Sequence, residues 1–119
     1  MEKVSIREKF RTFDKFWQSK IIGEFNHQSV KLAKLRGSFD WHLHQSEDEL
    51  LLVLKGKLTI RTPEDSIELA EGELFVVSAG LKHQFITDDE VHALIIEPRS
   101  TSNTPMPDVK SEIKLDGKK

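Results

Sequence analysis

Leu50-Leu51-Leu52-Val53-Leu54 puts five aliphatic side chains in a row. Successive side chains on a strand point to opposite faces, so an unbroken run predicts a strand covered on both sides, central to a sandwich or barrel. Turn chemistry brackets it: an acidic stretch, Glu47-Asp48-Glu49, before, and Lys55-Gly56-Lys57 after. Similar short runs recur along the chain. Ile21–Phe25, Ser29–Arg36, Phe39–His44, Lys57–Arg61, Ser66–Leu69, Leu74–Val77, His83–Thr87 and Val91–Glu97 all read as strands, with turns or breaks at Asn26-His27-Gln28, Gly37, Pro63-Glu64-Asp65, Ala70-Glu71-Gly72-Glu73, Ser78–Lys82 and Thr87–Glu90. Short strands at near-regular spacing predict an all-β sandwich or barrel, and connections too short for crossover helices make it antiparallel.

Residues 1–28 read as an amino-terminal arm and first strands, 29–98 as the barrel, and 99–119 as a partly disordered tail too polar to build a core. The arm carries Phe10, Phe13, Phe16 and Trp17, expected to plug one end of the barrel or a subunit contact. At 119 residues the chain is the size of one domain, and it buries roughly two-thirds of its unfolded surface without staples. It has no cysteine, which excludes disulfides, thiolate zinc sites and thiol catalysis. The charged amino terminus carries no apolar secretory segment, and no stretch reaches the length of a membrane span, so a cytoplasmic protein is expected. With 18 basic against 20 acidic residues, nucleic-acid binding is not expected.

The chemistry is concentrated between the arm and the aliphatic run. His42 and His44, two apart on a strand, share a face, and Glu49 opens the next strand beside them. If that strand folds back antiparallel, two imidazoles and a carboxylate converge, a donor set for a divalent transition ion: iron, manganese, nickel, cobalt, copper or zinc. His83 is a fourth candidate. Glu47 and Asp48 read as a solvated turn. Glu49 differs, since an unpaired carboxylate on an apolar strand is costly to bury. His92 reads as a hydrogen-bonded residue facing the barrel interior, and His27 as a turn residue. Trp41 should point away from His42. Lys31, Lys34 and Arg36 alternate on a strand leading to the site; most should meet solvent, and an inward parity would hold an anion. Imidazole binds metal only when neutral, so affinity is expected to fall below about pH 6.5.

The run Gly37, His42-x-His44-x4-Glu49-x6-Gly56, followed by Gly72-x5-Ser78-x-Gly80-x2-His83, resembles the two signature motifs of the cupin superfamily over about residues 30–97. Ser78 stands where the family has proline, Thr87 where it has asparagine, and Gly37 lies one residue nearer His42 than usual. The run Glu47-Asp48-Glu49-Leu50 and Lys55-Gly56-Lys57-Leu58 is similar to that of small single-domain cupins labelled mannose-6-phosphate isomerase-like. The resemblance implies a single-domain antiparallel jelly-roll β-barrel and one divalent transition metal ion on His42, His44, Glu49 and His83. It also implies a homodimer paired through the outer sheet and exchanged amino-terminal strands, and a small-molecule ligand or substrate. Two classes follow: a metal-dependent enzyme (oxygenase, isomerase or epimerase, or lyase) on a small polar or anionic metabolite, or a binding module using the same metal. Four protein ligands leave openings on a five- or six-coordinate ion, whereas tetrahedral zinc would be closed.

Overall fold

In the computed structural model, which describes residues 2–99, one short helix precedes seven strands. These are α1 (Ile6–Phe10), β1 (Ser19–Phe25), β2 (Gln28–Ser38), β3 (Glu49–Lys55), β4 (Leu58–Arg61), β5 (Ser66–Leu69), β6 (Leu74–Val77) and β7 (Gln84–Pro98). Of the expected tail, 100–119 lies outside the described residues. Every strand pair is antiparallel, in the order β1-β2-β7-β3-β6, with β4 joining β5 to β7. The long strand β7 belongs to both layers. Its first residues pair with β4 and its last with β3, while β2 follows it along most of its length. The two layers fold over a core that includes Trp17, Leu35, Phe39, Leu51, Phe85 and Ile95. This is a single-domain antiparallel jelly roll, although the hydrogen-bonded ladder does not close into a complete barrel among the described residues. No described helix is long and apolar enough to cross a membrane.

Three expectations about the strands change. First, Thr87–Glu90 does not divide two strands; β7 runs through it. β2 holds both halves, pairing Leu35 with Val91 and Gly37 with Thr87, so the extra residues of β7 form an irregularity in the ladder. The Thr87 hydroxyl donates to the Asp89 carbonyl inside it. Second, Phe39–His44 is not a strand. Among the described residues its backbone bonds to β-structure are the Phe39 amide on the Phe85 carbonyl and one bridge, His42 to His83. Third, β3 is not equally covered on both faces. Glu49, Leu51 and Val53 are buried, whereas Leu50, Leu52 and Leu54 are half-buried on the outside.

Aromatic residues of the arm pack against the described strands. Ser5 caps α1, its hydroxyl accepting from the Glu8 amide at 3.2 Å. Phe10 stacks on His92 with ring centroids 4.3 Å apart, and Trp17 enters the core while its indole N–H donates to the Arg36 carbonyl. His92 therefore does not face the interior. Val91 and Ala93 take the core side, and the period of two turns His92 outward, toward Glu90 and Phe10. His27 lies in the β1–β2 turn with φ 63°. Gly56, in the β3–β4 turn, has φ +88°, and a Cβ there would lie 2.7 Å from the Glu90 carbonyl oxygen. Gly56→Ala should therefore destabilise the chain by about 2 kcal/mol or more, from left-handed strain and that clash together. Chemical denaturation measures it; an unchanged midpoint would mean that the turn relaxes freely.

Candidate metal centre

Backbone ties bring the candidate ligands together. The His42 and His83 amides each donate to the other's carbonyl at 2.9 Å, and the Gly80 amide donates to His44's at 2.7 Å. The Asp48 carboxylate accepts from the Ala79 amide at 2.8 Å, so this residue of the acidic turn tethers the opposite loop. Convergence thus comes from the irregular segment 39–44 meeting the entry to β7, not from a hairpin with β3. The rings of His42 and His83 lie 4.1 Å apart between centroids, those of His42 and His44 5.7 Å, and those of His44 and His83 6.2 Å.

Hydrogen bonds fix which ring nitrogens are available. The Nδ1 of His42 lies 3.0 Å from the Asp40 carbonyl oxygen, and the Nδ1 of His83 2.8 Å from that of Leu81. A carbonyl can only accept, so each Nδ1 carries the proton and each Nε2 presents its lone pair. The Nε2 atoms of His42, His44 and His83 and Oε1 of Glu49 are all buried without a hydrogen-bond partner among the described residues. Such groups are costly to leave unsatisfied. The ligand atoms of the three histidines lie within 4.8 Å of one another; so, separately, do those of His44, Glu49 and Glu97. Glu49 thus joins the histidines through His44, its Oε1 3.9 Å from His44 Nε2.

The electrostatics follow from burial. Desolvation, reinforced by the neighbouring histidines His83 and His44, pushes His42 down to about 3, against the Asp40 contact. Burial also lowers His83, with the Leu81 carbonyl opposing. Glu49 rises to about 8, first from burial, then from repulsion by Glu97, with Lys31 opposing. The interior therefore holds neutral His42 and His83 and a protonated Glu49 at neutral pH.

Lys31 and Glu97 are the groups that the sequence reading undervalued. Lys31 is 0% exposed and Glu97 2%, and the Lys31 ammonium forms a close ion pair with Glu97 Oε2. The signal was parity: Ser29, Lys31, Ala33 and Leu35 are all buried on one face of β2, with Leu32 buried on the other. Lys34 takes the other face, donating to the Phe13 carbonyl at 2.7 Å, and Arg36 is exposed. Trp41 points away from the histidines, its ring under the Arg61 guanidinium at 5.8 Å. Imidazole lone pairs and a carboxylate in one enclosed place fit a divalent first-row ion, and a bare cavity does not explain them.

Comparisons with known proteins agree with this architecture. The sequence profile of the cupin domain family matches residues 29–97. The uncharacterized protein YdbB of Bacillus subtilis is 34% identical over 64 residues, 53% of this chain and 57% of that protein. An acireductone dioxygenase of Tuber melanosporum is 37% identical over 60 residues, 46% of this chain and 34% of the enzyme. The chain thus spans little more than half of one curated relative and about a third of the other. The solved structure of a cupin-2 domain containing protein from Shewanella frigidimarina superposes with a TM-score of 0.79 at 35% identity, over 81% of this chain and 94% of that one.

Proposed function

The chain belongs to the cupin domain family, and on that premise we propose that it is a metal-dependent enzyme of the oxygenase type, acting on a small anionic metabolite. One observation carries the metal reading: three Nε2 atoms and a carboxylate oxygen are buried together without hydrogen-bond partners among the described residues. His42, His44, His83 and Glu49 would hold the ion. Bound there, a redox-capable ion such as iron or manganese would supply Lewis acidity and access to dioxygen chemistry.

The surrounding residues do the rest. The Asp40 and Leu81 carbonyls hold two imidazoles in the ligating tautomer. Phe39 and Phe85 pack against the rings and keep water from that side, with Phe85 5.2 Å from His83 and 5.7 Å from His42 between centroids. Charge favours an anion. Lys31 and Glu97 cancel each other, and a deprotonated Glu49 offsets only one charge of a divalent ion, so one positive charge is left for a ligand to neutralise. The likeness to an acireductone dioxygenase favours oxygen chemistry over isomerase, epimerase or lyase chemistry. Iron- or manganese-loaded protein should consume dioxygen when given small α-hydroxy-ketone or enediol anions. Turnover of such substrates without oxygen uptake would make the chain an isomerase or lyase. Tight binding without turnover would make it a binding module.

We also infer a homodimer. The outer face of β6-β3-β7-β2 carries one cross-strand row of Val76, Leu50, Ile96 and Val30, and another of Leu74, Leu52 and Leu94. Leu74 is 54% and Val76 45% exposed, giving a continuous apolar surface of the kind that marks an interaction site. Sedimentation at micromolar concentration should give twice the chain mass, and Leu74→Asp should halve it. A wild-type monomer that persists at high concentration would reject the pairing.

A further inference from the structure

Replacing a buried ion pair by apolar side chains is often neutral or stabilising, so stability does not explain why Lys31, Glu97 and Glu49 share the interior. Their geometry offers another reason. Glu97 projects from the end of β7 and Glu49 from the start of β3, and both are buried. Only one oxygen of Glu97 is engaged by Lys31. Its Oε1, like that of Glu49, is enclosed without a hydrogen-bond partner among the described residues. These two carboxylates and His44 bring their ligand atoms within 4.8 Å of one another, as do the three histidines. His44 Nε2 belongs to both sets and has a single lone pair to give.

Resting on the metal reading above, we propose that the centre has two cation positions that exclude each other at His44. The nitrogen-rich one uses His42, His44 and His83 with Glu49 beside His44; the oxygen-rich one uses His44, Glu49 and Glu97, with Lys31 competing for Glu97. Ligand softness decides which ion takes which. Carboxylate oxygens suit manganese, whereas imidazole suits cobalt, nickel, copper and zinc. Lys31 is the built-in cation of the oxygen-rich position. It balances Glu97 when no ion is there, and its charge opposes an ion that takes the free Oε1. The metal carried would then set where a substrate meets it, near the histidines or deeper beside β7.

Calorimetry on the metal-free full-length chain, with Mn2+ and Co2+ as separate probes, tests this. Glu97→Gln should weaken Mn2+ by about tenfold or more and Co2+ by less than about threefold, and His42→Ala should do the reverse. Lys31→Met removes the competitor and should tighten Mn2+ alone. The pair Lys31→Met/Glu97→Gln keeps the interior neutral and should fold even where the single charge removal does not; it should show the same selective loss of Mn2+. Equal losses of both ions in these Glu97 variants, or no loss of either, would overturn the second position. If His42→Ala still lost Co2+ in that case, the metal reading itself would stand. Failure of the wild-type chain to bind either ion would remove both.

Discussion

The His42→Ala/His44→Ala variant should lose divalent-ion binding altogether while remaining folded. Each substitution removes an imidazole donor from a set whose ligand atoms lie within 4.8 Å of one another, and His44 is also the donor next to Glu49. Removing even a residue that only supports a ligand costs about 10–100-fold in affinity, so each donor should cost at least about a hundredfold. Together they put the dissociation constant beyond the micromolar range. Folding should survive for a separate reason. Both Nε2 atoms are buried without hydrogen-bond partners, so neither forms a bond there that the fold depends on. The packing lost around the His42 ring, edge-on to Phe39 and Phe85, is partly offset by removing an unsatisfied buried group. The metal-free variant should therefore lie within about 1 kcal/mol of the metal-free parent. His27→Ala, in the exposed β1–β2 turn, should leave affinity unchanged. A double variant that bound a full equivalent of metal as tightly as the parent would show that the site is elsewhere.

Why some of this could be read from the sequence and some could not is visible residue by residue. The antiparallel all-β architecture was legible because alternation and turn residues are local signals, and β3, β4, β5 and β6 appear where those signals put them; the jelly-roll type came with the motif resemblance. His42, His44 and His83 were legible as a group through motif spacing, although the expected strand from Phe39 to His44 does not form. Backbone bonds between His42 and His83 do the work assigned to that strand. The polar turn at Thr87–Glu90 misled because turn chemistry is a local preference, and pairing with β2 along both halves of β7 overrides it. Glu97 was the larger omission, and Lys31 was named with solvent as its expected surroundings. A lysine on an alternating strand reads as solvated unless the parity of that strand is known. The parity of β2 is set by Ala33 and Leu35 packing into a core that only the tertiary structure defines. The partner of Lys31 lies 66 positions along the chain, beyond any local pattern.

That interior also changes the expected pH dependence of metal binding. From the histidines alone, affinity would fall as pH drops below about 6.5. Burial instead holds His42 neutral down to about 3, and the proton that competes with the metal near neutrality sits on Glu49, raised to about 8. Between about pH 6.5 and 8, affinity should therefore rise about tenfold per pH unit and level off above, with nearly one proton released per ion at pH 7. Stability of the metal-free chain runs the other way. A carboxyl raised above its unfolded value of 4.5 contributes stability that is fully present below 4.5 and lost as pH rises through about 8. Melting temperature should thus decline across neutral pH without metal and rise with metal present, because the ion takes the ionised carboxylate. Glu49→Gln should remove both slopes and keep a weaker three-histidine site. Calorimetry in buffers of different ionisation enthalpy counts the proton directly. A parent protein that released none at pH 7, with affinity flat between 6.5 and 8, would place Glu49 outside the ligand set.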